Sequence, residues 1–385
     1  MSALRTAGAP RTVRRSGFTI AADGSYAACL AETAPPGGDQ GGGGLLVERW
    51  TLGGPEPYAV PLPGPQPEDP GAQVLPLADG RVLIRRRVAD RWDLALLYPS
   101  GPDTGELPVG SLTGSDVRLL PPAPGGAAYT LAYDEDAGST GVWRVHGTAG
   151  GAPEAVMTVP GRCTGGVWLD RAGRLLAVDR ELDGRTKAVA ADLHTGRTSP
   201  LLQITDDSDD RLLLAEPDSG LLLLRSDATG EARLGWGVLG SRRPVRFPDA
   251  LRVPGVLLTP VAAQPGQILM PEASVVALRA EVPGGAESLA LWRPGERRLH
   301  WRASPPGWLG AAGMWLPGDE LRLPYAARDC PCGLAAYEPP AGWPEPVAAA
   351  AAGVVVHVPR TRALPAPPAR RTWCVLPLQQ APLAG

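Results

Sequence analysis

The stretch GFTIAADGSYAACLAE, residues 17–32, decides the fold. Apolar and small residues lead into Asp23-Gly24, and a second apolar run begins at once, the pattern of two antiparallel strands joined by a tight turn. A turn dipeptide between two apolar runs returns at Asp79-Gly80, Gly125-Gly126, Ala172-Gly173, Ser219-Gly220 and Gly318-Asp319. Further on from each comes a short strand that carries an aromatic or small residue and stops at Gly or Pro. Its seven copies are LLVERWTLGG, DLALLYPSG, TGVWRVHG, AVAADLHTG, ARLGWGVLG, SLALWRPG and GLAAYEPPAG.

Anchored on Trp50, Tyr98, Trp143, Ala191, Trp236, Trp292 and Tyr337, the copies are spaced by 48, 45, 48, 45, 56 and 45 residues. A period of about 40–50 residues built from short strands is that of a propeller, with one four-stranded sheet per repeat. Helical repeats share such periods, but these apolar runs are short and broken by Gly or Pro. The expected fold is therefore all-β, a seven-bladed β-propeller of four-stranded antiparallel blades in a single domain over 1–385. Its repeats are expected at about 18–64, 72–114, 116–161, 163–205, 210–254, 256–305 and 308–352, with 353–385 as a closing strand or a capping hairpin. The sixth repeat lacks a clear Asp-Gly turn, so its turn is placed near Pro271, with an inserted loop around Ala262 to Gly266.

Strand, Asp-Gly, strand, then an aromatic strand ending at Gly resembles the propellers of the Tol-system periplasmic protein and of the prolyl oligopeptidase amino-terminal domain. The resemblance covers about Phe18 to Ala352 and implies a fold. It does not carry over the peptidases' catalysis: they join the propeller to a hydrolase domain with a Gly-x-Ser-x-Gly elbow, and that pentapeptide is missing here.

Composition narrows the partners. Hydrophobic residues make up 44% and charged residues 20%, enough apolar material for a substantial core. The net charge of −3 and the lack of a long basic run argue against nucleic acid. No apolar run reaches the length of a membrane span, and MSALRTAGAPRTVRRSGF lacks the apolar core of a signal peptide, so no membrane partner is expected and the expected location is cytoplasmic. Five cysteines, Cys29, Cys163, Cys330, Cys332 and Cys374, are then expected as reduced thiols. Lys187 is the sole lysine beside many arginines.

Candidate sites are few. Trp168 and Trp315 sit in first strands, which line a propeller's axis, and are candidate walls for a stacked ligand; packing between blades is the competing role. TDDSDDR, 205–211, places Asp206, Asp207, Asp209 and Asp210 just ahead of a first strand. Alternate carboxylates suit calcium, yet the glycine and distal glutamate of the helix-loop-helix calcium pattern are absent, and charge runs are usually solvated. Asp209 and Asp210 are kept as candidates for the channel face. In VLIRRRVADRW, Arg85, Arg86 and Arg87 alternate between the two faces of a strand, so an inward one, with Arg86 as the candidate, needs an acidic partner or an anionic ligand. DCPCG, 329–333, lacks further metal ligands nearby, and His146, His194, His300 and His357 have no metal spacing. No metal or cofactor is expected.

Two functions fit these observations. One is a binding or scaffolding propeller that presents a face or its axial funnel to a protein or small ligand. The other is a lyase, cyclase or isomerase of specialised metabolism with its site in the funnel.

Overall fold

A computed structural model describes residues 13–33, 44–285, 287–310, 312–316 and 319–340. Seven antiparallel blades follow one another along the chain, at 15–62, 73–113, 116–160, 162–202, 210–238, 257–303 and 314–337, the fourth and fifth joined into one seven-stranded sheet by a single parallel pairing, and the only helical turn among the described residues is Asp249–Leu251. The chain is an all-β, seven-bladed propeller. Each sheet is built in sequence order, first strand to last.

Successive first strands touch, as Asp210–Glu216 does with both Arg162–Trp168 and Leu257–Ala263, which places the first strands at the centre of the ring. The seven anchors of the repeat all lie in third strands, from Trp50 in Leu45–Thr51 to Tyr337 in Gly333–Tyr337. Trp50, Trp236 and Trp292 are buried between neighbouring sheets, whereas Tyr98 is exposed.

Where they are described, the turn dipeptides form the first hairpins, Gly318 lying outside the described residues, and at Asp23 the side chain fixes the turn by accepting from the Ser25 N–H and hydroxyl, at 3.1 and 2.6 Å. Gly80 shows why glycine is needed there. Its φ is +83°, and a Cβ would lie 3.0 Å from the Tyr26 ring, so the turn of the second sheet rests on the first. First-hairpin turns of neighbouring sheets meet around the ring, as in the pair Gln264 Nε2 to Asp319 at 2.6 Å and the approach of Arg171 to Asp218. They define one end of the molecule, the hairpin end.

Two sheets depart from four strands. The fifth has three, and a lone bridge between Trp236 and Arg246 stands where the fourth would pair. The seventh has three among the described residues, and the expected closing segment 353–385 lies outside them. The sixth repeat also corrects the expected insertion: Ala262 and Ala263 finish the first strand, Leu257–Ala263, and the long turn runs over 264–275, with Pro271 inside it.

The first and seventh sheets meet. Ala27, Trp50 and Leu52 pack with Ala326, Leu334 and Met314, and Trp50 Nε1 donates to Glu48 at 2.6 Å while Arg15 Nε donates to the same carboxylate at 2.7 Å. Cys332 packs at this seam, where burial pushes its thiol up to about 12.

Candidate ligand cleft over the second sheet

Arg85, Arg86 and Arg87 alternate as a strand requires, and the faces have different fates. Arg85 turns toward the third sheet and is buried without a carboxylate at hydrogen-bond distance, contrary to the expectation that a buried guanidinium needs an acid or an anion. Its Nη1 donates to Val117 O at 2.7 Å, its Nη2 to Gly71 O, and the guanidinium lies 4.1 Å over the Trp92 ring. Burial pulls its pKa down to about 10. Carbonyl dipoles and the indole face substitute for a counter-ion.

Arg86 turns toward the first sheet. It holds Glu68 by two bonds of 2.8 Å and Glu106 by one of 2.6 Å. Burial alone would lower its pKa; the bonds to the two carboxylates outweigh this and raise it above the usual arginine value. This triad lies in a cavity of about 590 Å³ between the link 65–69 and the outer strands of the second sheet. The cavity has a local cause: the pairing of Arg91–Ser100 with Asp103–Thr113 slips between Leu94 and Ala95, so Val109 is bulged and the outer strand bends away. Pro65, Pro67, Val88, Ala95 and Pro108 supply apolar wall, and the Arg91–Asp93 pair at 2.8 Å is on the rim. Among the described residues only one Glu106 oxygen is bonded, which leaves an acceptor beside apolar wall.

The other predicted residues lie elsewhere and are not brought together. Trp168 is in the core between the third and fourth sheets, 5.4 Å from the Tyr129 ring, with its Nε1 donating to Pro121 O at 3.0 Å. Trp315 packs against the core of the sixth and seventh sheets, its Nε1 enclosed without a hydrogen bond. Asp209 accepts from Thr186 N–H at 2.8 Å. Asp210 is fully buried and faces the fourth sheet rather than the channel, because its oxygens serve Ser208, Ser226, the Ile204 N–H and Lys187. Burial opposes its charge, but these bonds prevail and hold it below the usual carboxylate range. Lys187 Nζ also bonds Thr205 O and, at 3.1 Å, Ser208 Oγ.

A second buried aspartate, Asp179, was not singled out from the sequence. Asp179, in Leu175–Leu182, accepts from Leu212 N–H at 3.0 Å and lies 4.0 Å from Arg211; burial pushes its pKa up to about 6, against the pull of both partners. His146 is the last residue of a third strand, Ser139–His146, and burial together with Arg81 lowers its pKa.

The ring of seven sheets defines the class of protein. No family model matches the chain, and no curated protein does. Among solved structures the chain is similar to TolB from Acinetobacter baumannii, at 13% identity over 81% of this chain and 80% of that one, with a TM-score of 0.41. It is similar to a Mycobacterium tuberculosis puromycin-hydrolyzing peptidase, at 15% identity, 85% coverage and a TM-score of 0.48, and spans about half of that chain, 52%. A catalytically inactive virginiamycin B lyase from Staphylococcus aureus with quinupristin is also similar, at 13% identity over 83% of this chain and 94% of that one, TM-score 0.47. These are similarities of fold and carry no chemistry across.

Proposed function

We propose that the chain is a binding propeller that takes a small ligand, or one side chain of a protein partner, in the cleft over the second sheet. The observation that carries this reading is the Arg86–Glu68–Glu106 triad at the base of a 590 Å³ cavity, a volume within the range of about 300–1,000 Å³ typical of small-molecule sites. Apolar wall beside a carboxylate oxygen with spare acceptor capacity favours a ligand with an apolar body and an N–H-bearing head, such as an alkyl amine.

The test is isothermal titration with a panel of alkyl and aryl amines and their carboxylate counterparts. Amines are expected to bind and carboxylates to fail, and Glu106→Gln is expected to weaken amine binding about tenfold, the loss of one charge-assisted hydrogen bond. Equal binding of both classes, or an unchanged affinity in Glu106→Gln, sinks the assignment.

A further inference from the structure

The long turn of the sixth sheet, 264–275, carries Ile268, Leu269 and Met270 at 71%, 84% and 36% exposure. Three adjacent apolar side chains in water are unfavourable, and Leu269 adds a backbone φ of +56°, a region that leucine rarely occupies. The conformation is nevertheless pinned. Gly266 N–H donates to Asp218 Oδ2 at 2.8 Å and Leu269 N–H to Asp218 O at 3.2 Å, while Arg171 grips the same carboxylate through two bonds of 2.9 and 2.7 Å. A strained, exposed, rigid apolar knob gains nothing for the isolated chain, and such strain points to a role in binding.

The same end of the ring holds a recess that matches it. First-hairpin turns of the first three sheets enclose about 370 Å³ lined mainly by apolar groups, among them Leu75, Leu77, Pro122, Ala123, Pro124 and Ala127. Asp23 borders the recess.

We propose that the hairpin end is a self-association surface, on which the Ile268–Met270 knob of one chain enters the recess of a second copy and receives that copy's knob in return. One face carries both halves of the contact. A two-fold axis in the plane of that face, crossing the line from knob to recess at its midpoint and at right angles, exchanges them and closes the assembly as a dimer. The second copy is the occupant because the same end of one chain carries both an exposed apolar knob and a mainly apolar recess. This surface lies apart from the second-sheet cleft and does not depend on its ligand.

Sedimentation equilibrium of the full chain up to about 0.1 mM tests the proposal. A dimer is expected, with Leu269→Asp and, at exposed Ala78 on the recess wall, Ala78→Arg each giving monomer at unchanged melting temperature. An equimolar mixture of the two variants is expected to regain association, since one knob and one recess stay intact and the new aspartate faces the new arginine. A monomeric parent, a dimer indifferent to both variants, or a mixture that stays monomeric overturns it.

Discussion

Asp179 and Asp210 lie on neighbouring sheets and are both buried, yet their partners separate them. Four donors meet Asp210, two hydroxyls, a backbone N–H and Lys187 Nζ, whereas Asp179 has one N–H and an arginine at 4.0 Å. Its pKa of about 6 in the fold, against 3.8 for an ordinary aspartate, means that the folded chain holds this proton more tightly than the unfolded one. Asp179 therefore contributes most stability below pH 4, and that contribution is lost as pH rises through 6, by about 3 kcal/mol at most. Asp179→Asn keeps an oxygen for the Leu212 N–H and removes the buried charge. Urea unfolding should show the variant more stable than the parent at pH 7 by about 1–3 kcal/mol, with the advantage gone at pH 4. A gain that persists unchanged at pH 4 refutes the charge explanation.

Between the fourth and fifth sheets, a single parallel pairing of Lys187 with Asp210 joins two otherwise separate hairpin stacks. The chain uses arginine everywhere else, and the junction explains the exception: Thr205 O, Ser208 Oγ and Asp210 Oδ2 converge on one point, which suits a compact ammonium with three donors and not a planar fork. Lys187→Met, which leaves the Asp210 carboxylate buried without its cation, should cost about 3–5 kcal/mol in chemical denaturation. Lys187→Arg should also destabilise despite keeping the charge; a neutral effect would show that charge alone matters. Strand order and the first-hairpin turns were legible in the sequence because φ and side-chain alternation are local demands. Asp23-Gly24 announces its turn, and Arg85 to Arg87 announce two faces. The acidic loop was legible as a charge run only, since its lysine comes from the preceding sheet. Glu68 and Glu106 could not be found for the same reason: they reach Arg86 from a proline-rich link and from an outer strand, and the cleft exists only where a bulge parts two strands.

At the scale of the whole ring, every sheet is packed against two others, and the first and seventh meet through Trp50, Glu48, Arg15 and Met314. Such mutual packing makes opening of any one gap cooperative with its neighbours. The sole lysine then acquires a use of another kind. Its side chain is largely shielded, at 14% exposure, and its Nζ is bonded to Thr205 O, Ser208 Oγ and Asp210, so an acylating reagent reaches it only when the fourth and fifth sheets part. Besides the α-amine, the intact chain should thus resist amine-directed acylation, and one further acyl group per molecule, found by mass spectrometry on the peptide containing Lys187, should appear along the denaturant unfolding curve. Rapid acylation of Lys187 in the native chain would contradict the burial described above. A chain with one internal amine is in this way its own clock for the opening of the ring, and needs no introduced probe.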